Sequence, residues 1–405
     1  MAPAYYLPPL AVAEVEINNS TISGRPALRV TILLIAFLLT GVGTALLGAT
    51  LPVLLKQWGL SDRGGGFLLL LSWGGSTSGA LLCRKSLRFS AAAGLMLTSI
   101  AMLILAALDR RSALPIFAFY GLGLGVAMTA ITMISSRQAS EDTRRRELMR
   151  LNLIWSIGAC VSPTLAAHAL RFTRAGGLFA SMSIVFCIAA AAIWTRGKDA
   201  HDTFSDKLDN GPDALKVAPL PLYAMAGLAV GVESAIGGWL TTYAGRTAHT
   251  EFISLSATIA FWAGLLLSRG LHSVKGWRPL HSGPVLVVHA ATVVVATVVL
   301  LAAPHTAAFL PSALLAGFGL GPLYPRVQAL VVGTYKPRPV FIIAGLGAAA
   351  LPWLTGTLSN ATGSLRAGLV LPCLAAACLL ALMLIARTNR PLRTTDGELD
   401  APKSL

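Results

Sequence analysis

The sequence predicts an all-α membrane protein: twelve transmembrane helices in two parallel-repeat six-helix bundles. Three observations predict it. Of the 405 residues, 55% are apolar and only 12% are charged, roughly half the charge that soluble domains carry. The apolar residues gather into twelve runs of about the 20 residues that a bilayer-crossing helix needs. Glycine, proline and tryptophan positions of the first six runs recur in the last six. This composition excludes a disordered chain, a collagen-like chain and a disulfide scaffold. The net charge of +15 is spread as small clusters between apolar runs. That pattern fits loops at a membrane surface, not a basic groove. The lipid bilayer is therefore an expected partner and nucleic acid is not.

The runs cover approximately 28–55, 64–83, 89–108, 114–136, 151–170, 176–195, 218–243, 252–268, 281–303, 307–333, 340–358 and 367–386. The weakest are Gly64 to Leu82 and Phe252 to Ser268, which are short and rich in Gly and Ser. The segment before Arg25 carries Glu14 and Glu16 and lacks the basic start of a signal peptide. Lys and Arg orient the chain. With the N-terminus in the cytoplasm, inner connections hold 23 of them and outer connections 8, with Arg326 left inside the tenth run. The inner set includes Arg84, Lys85 and Arg88, the cluster Arg137 to Arg150, and Arg269, Lys275 and Arg278. The bias places both termini in the cytoplasm of a multi-pass plasma-membrane protein.

The polar stretch from Arg196 to Val217 divides six runs from six. The expected division is a tail at 1–24, an N-terminal bundle at 25–196, a linker at 197–217, a C-terminal bundle at 218–390 and a tail at 391–405. The halves repeat in parallel. Gly121, Gly123 and Gly125 match Gly317, Gly319 and Gly321 at an offset of 196; Gly158 and Pro163 match Gly347 and Pro352 at 189, as Trp73 matches Trp262. Parallel repeats about an axis along the membrane normal are transporter architecture, with the substrate site at mid-depth between the halves. Small residues at xxx spacing allow helices to approach closely. Prolines at 52, 163, 219, 221, 322, 325 and 352 free carbonyls that must face protein or cavity.

These features resemble the major facilitator superfamily over nearly the whole chain. Within it the sequence is most similar to the fucose–proton symporter branch of sugar carriers. The residues carrying that likeness are Val230-Gly231-Val232-Glu233 with Gly237-Gly238-Trp239, Phe261-Trp262 with Arg269, Gly321-Pro322-Leu323-Tyr324-Pro325, and Gly363 to Gly368. The resemblance implies alternating access of a sugar-like solute, with protons as the coupling ion. Two departures stand out. Cys83 occupies the place where the superfamily's loop after the second helix carries an acid. The branch's carboxylates in the first and fourth helices are replaced by the neighbourhoods of Val42, Thr44 and Ala45 and of Thr129, Thr132 and Ser136. The missing carboxylates favour facilitated diffusion over proton coupling.

Candidate site residues follow from the cost of polarity in lipid. Glu233 is the one acid placed deep in an apolar run, so it is the candidate for substrate binding and proton coupling. Its bland reading is a structural glutamate bonded to neighbouring helices. Arg326 reads as the intramembrane cation. It can snorkel, pair with Glu233, or bind an anionic substrate. Trp239 and Trp155 are candidate sugar platforms, and Asn152, Tyr120, Tyr324 and Gln328 are candidate hydroxyl partners. Aromatics in membrane helices more often pack or sit in interface belts. His168 and His289 read as structural histidines. No nucleotide loop, catalytic constellation or metal spacing emerges, so neither enzyme, cofactor nor metal is expected. The expected function is a monomeric carrier of a hexose-like sugar. The alternative is an exporter of amphipathic or anionic compounds such as drugs or lysolipids. A sensor or scaffold would need a folded soluble domain, for which the polar segments are too short.

Overall fold

The structure, a computed structural model, describes residues 25–83, 86–136, 141–195, 218–247, 251–273, 283–302, 307–332 and 338–388. The expected tails at 1–24 and 391–405 and the linker at 197–217 lie outside the described residues. The described residues form fourteen α-helices: α1 (Arg25–Gln57), α2 (Asp62–Leu82), α3 (Leu87–Leu108), α4 (Ile116–Ser136), α5 (Glu141–Phe172), α6 (Ala175–Thr195), α7 (Leu220–Thr247), α8 (Glu251–Ser273), α9 (Gly283–Ala302), α10 (Phe309–Leu320), α11 (Leu323–Val332), α12 (Arg338–Thr362), α13 (Leu365–Gly368) and α14 (Val370–Thr388). They form twelve crossings, because α10 with α11, and α13 with α14, each make one. Ten spans are long and apolar enough to cross a membrane by themselves. The remaining two crossings are the Gly/Ser-rich α2 and the divided α10–α11.

Local chemistry sets several boundaries. Ser61 caps α2, its hydroxyl accepting from the Gly64 amide at 3.4 Å. Asp109 ends α3 in the left-handed region at φ 31°, and its carboxylate accepts from the Trp58 indole at 3.2 Å. The run at 307–333, expected as one helix, is divided at Gly321 and Pro322. Proline lacks an amide hydrogen, so residue 322 leaves the Phe318 carbonyl without its helical donor. Pro325 does the same to the Gly321 carbonyl. Two backbone oxygens are thereby bared at mid-crossing.

The sequence repeat has a packing counterpart. A Cβ on Gly121 in α4 would collide with the Ser72 carbonyl of α2, and one on Gly317 in α10 with the Phe261 carbonyl of α8. Likewise Gly158 of α5 lies on the Leu38 carbonyl of α1, and Gly347 of α12 on the Gly227 carbonyl of α7. The matched glycines thus let the same pairs of helices touch in each half. Helices α1 to α6 pack among themselves, as do α7 to α14. The halves meet along α2 with α12, α5 with α8, and α1 with α7.

Candidate functional site

At mid-depth the seam between the halves carries a polar cluster. Glu233 lies 13 residues into α7, about 20 Å from its start at helical rise. It is 9% exposed. Its carboxylate does not meet Arg326. It meets Arg269 of α8, whose guanidinium Nη2 lies 3.1 Å from Oε2 and 3.4 Å from Oε1. Arg269 was expected in a loop at the cytoplasmic surface. The structure corrects this: α8 continues to Ser273, and Arg269 is inside it at 7% exposure.

Both remaining nitrogens of Arg269 have a use. Nη1 donates to the Ser156 hydroxyl of α5 at 3.0 Å, across the seam. Nε donates at 3.3 Å to the Gly321 carbonyl, the oxygen that Pro325 leaves bare. The guanidinium carbon stands 5.6 Å from the centroid of the Trp155 ring, a cation–π contact. A buried charge needs this density of partners, since its desolvation exceeds what one ion pair returns. Ser156 in turn donates to the Asn152 carbonyl at 2.8 Å.

Aromatic rings close the cluster. Trp155 and Trp262 meet edge to face with centroids 5.9 Å apart, one from each half. Both indole N–H groups are buried and have no acceptor. Tyr324, half-buried on α11, is within electrostatic reach of Glu233 and Arg269. Of the expected site residues, the structure brings together Glu233, Trp155, Asn152 and Tyr324. The Asn152 amide itself donates to the Leu148 carbonyl at 2.9 Å, within α5.

The others lie elsewhere. Trp239 is fully buried and donates to the Pro352 carbonyl at 2.9 Å; its ring lies against Gly65 and Gly356, so it keys α7 to α12 and α2. Tyr120 is fully buried inside the N-terminal half and donates to the Gly43 carbonyl at 2.5 Å. Arg326 and Gln328 are half-buried on α11. His168 stacks edge-on with Phe172 at 5.4 Å.

A second polar contact closes one end of the seam. Arg246 of α7 makes a two-pronged bond to Asp62 of α2, at 2.7 and 2.6 Å. Ser359 of α12 donates to the same carboxylate at 2.5 Å. Asp62 precedes the apolar stretch of the second crossing. Burial pushes its pKa up, but the bonds from Arg246 and Ser359 outweigh this and hold the carboxyl below its usual range.

Sequence reasoning missed Arg269, Ser156 and the seam role of Trp262. The available signal was Leu271, which resumes the apolar pattern beyond Arg269 and Gly270. A buried Glu233 also demanded a cation of its own.

Twelve crossings in two repeated halves around a polar mid-depth cluster define a membrane transporter. A sequence profile of the Major Facilitator Superfamily matches residues 33–340, and the chain belongs to this superfamily. No curated protein matches by sequence. Among solved structures, the human organic anion transporter MFSD10 superposes with a TM-score of 0.66 at 15% identity, covering 88% of this chain and 99% of that one. The E. coli fucose:proton symporter gives 0.62 at 13% identity, over 88% and 98%. A bacterial homologue of the human lysosomal transporter Spinster gives 0.64 at 11% identity, over 91% and 98%. At these identities the likeness is one of fold.

Proposed function

We propose that this protein carries a small polar solute, of hexose-like sugar chemistry, across the plasma membrane by alternating access. The supporting observation is the seam cluster itself. Glu233 offers acceptors, Arg269 and Ser156 exchangeable hydrogen bonds, and Trp155 and Trp262 two indole donors without acceptors. A sugar ring answers this set with vicinal hydroxyls and an apolar C–H face. Its entry would part Trp155 from Trp262 and lift Arg269 off the indole, so binding and seam opening become one event. Asn152, next to Ser156 on α5, would supply the amide. Trp239, Tyr120, Gln328 and Arg326 remain secondary contacts, reached only when the halves rearrange. With both termini cytoplasmic, the Arg246–Asp62 bond lies at the outer mouth, and the described conformation is closed there. The single chain holds both halves, so a monomer suffices.

A proton on Glu233 is the coupling reading for this site. Protonation would remove the charge that holds Arg269 and release the guanidinium to the solute. A second substrate reading has its own support in Arg269. A buried guanidinium can receive a carboxylate or phosphate in two-pronged fashion, which suits efflux of an anionic amphiphile. Uptake by proteoliposomes of labelled sugars, with and without an imposed pH gradient, tests both. Sugar entry that an excess of unlabelled sugar abolishes is the expected result. Absence of uptake of every sugar, with saturable movement of organic anions, would replace the first reading by the second.

A further inference from the structure

Five cations gather at one corner of the N-terminal half, at the end of the bundle opposite the start of α1 and the end of α14. Three contacts build this corner. The Trp58 indole, just past the end of α1, donates to the Asp109 carboxylate at the end of α3. The amide of Ala175, the first residue of α6, donates to the Gln57 side-chain oxygen of α1 at 3.4 Å. Gly176 lies so close to Asp109 that a Cβ there would stand 3.1 Å from the carboxyl carbon. The ends of α1 and α3 and the joint between α5 and α6 therefore meet. Lys56 immediately precedes Gln57, Arg110 and Arg111 follow Asp109, and Arg171 and Arg174 lie just before Ala175. All five are exposed. Of the eight Lys and Arg in the connections at this end of the bundle, five stand at this corner.

Two further features specify what the corner would hold. Helix α6, 21 residues long, starts here. Its first amides have no acceptor within the helix, and its positive dipole end faces the same arginines. Gly176 and Gly177 put no side chain over that backbone. The second feature is apolar. Phe172, between the two arginines of the α5–α6 joint, is 77% exposed. Below it Ile100 and Leu103 of α3 and Ile184 of α6 are exposed as well. At that depth α3 and α6 are joined through Ser99 and Ser183, whose hydroxyls are 3.1 Å apart. Cations and a helix N-terminus thus stand directly above a strip of apolar side chains along two joined helices.

We propose that this corner binds an anionic phospholipid of the leaflet opposite the termini, its phosphate over the N-terminus of α6 and an acyl chain along α3 and α6. A phosphate suits a helix N-terminus, and arginine grips its oxygens in two-pronged fashion. Arg171 and Arg174 approach from the α5–α6 side, and Arg110 and Arg111 from the end of α3. The exposed aliphatic residues answer the chain, which a free anion lacks. The seam between the halves runs along other helices, so the lipid sits on the outside of the bundle and does not compete with the solute.

The inference is independent of the solute carried, and its test uses none. Purified protein in detergent is titrated with phosphatidylglycerol or phosphatidylcholine, and bound lipid is counted by native mass spectrometry. The parent should retain phosphatidylglycerol in clear preference. Each cation beside an anionic headgroup contributes about fivefold in affinity. Arg171→Gln with Arg174→Gln, and separately Arg110→Gln with Arg111→Gln, should therefore each weaken retention of phosphatidylglycerol about 25-fold. Arg171→Lys with Arg174→Lys keeps the charges and should retain most of the preference. Arg63→Gln, an exposed cation at the same end but on α2, should leave it unchanged. Equal retention of both lipids by the parent, a preference that survives in both glutamine pairs, or an equal loss in Arg63→Gln would overturn the proposal. Displacement of the lipid by inorganic phosphate would do so too, by showing that the chain contributes nothing.

Discussion

Two arginines tie the halves of this transporter together, and they do so in opposite ways. At the mouth, Arg246 forms its ion pair across the seam, with Asp62 of the other half. At mid-depth, Arg269 forms its ion pair within its own half, with Glu233, and reaches across to neutral groups, the hydroxyl of Ser156 and the ring of Trp155. Exposure explains the difference. Arg246 is 46% exposed along its side chain, so water can take over both charges when the halves part. Arg269 is 7% exposed, and separating its charges there would strand both in a dry interior. Keeping acid and base on one rigid half lets the pair travel intact while only contacts to neutral groups break.

Breaking the buried pair tests this contrast most severely. Glu233→Ala leaves Arg269 buried without its acid, at a cost of about 3–5 kcal/mol. Thermal unfolding in detergent should therefore drop steeply, and Arg269→Ala should drop alike. A change no larger than that of a surface variant would show the pair to be solvated. Trp239→Phe comes next. It removes the bond to the Pro352 carbonyl and should cost about 1–3 kcal/mol by leaving that oxygen unsatisfied, measured by the same unfolding curve. Ser156→Ala deletes the hydrogen bond by which Arg269 crosses the seam at depth, and should cost about 1 kcal/mol. Its larger signature should be faster alkylation of cysteines introduced at the seam. Asp62→Asn should change stability by less than about 1 kcal/mol, because its partner is exposed. Because the Asp62 carboxyl is held below its usual range, the ion pair contributes above about pH 4. It is lost only as pH falls through the lowered value. Between pH 5 and 8, salt should loosen this mouth and acid should not; the reverse finding would place the closure in another group.

The fold was legible because its determinants repeat. Apolar length gives the crossings, and Gly121 with Gly317, or Gly158 with Gly347, mark helix pairs that touch in both halves. Glu233 was legible as an acid in an apolar run. Its partner was not, because Arg269 stands between the apolar run at 252–268 and the basic residues Lys275 and Arg278. Composition cannot tell the last buried turn of a helix from the first turn of a loop. Arg326, by contrast, lies well inside a run yet is half-buried on α11, away from the carboxylate. Trp239 was read as a platform because it follows Glu233 closely. Six residues turn a helix through more than one and a half revolutions, so the two side chains leave the helix on different sides. The edge-on contact of His272 with His289, ring centroids 5.1 Å apart, was not legible either, since the two belong to different helices.

The spacing of Pro322 and Pro325 has a consequence for how this membrane span can evolve. Each imino acid withholds an amide hydrogen, and each orphaned oxygen is answered from outside, by the guanidinium of α8 and by the imidazole side of α9. Alanine at either position would let the main chain reclaim that oxygen and heal the rod. The borrowed side chain would then be left facing a filled socket, so the prolines and their visitors can be exchanged only together.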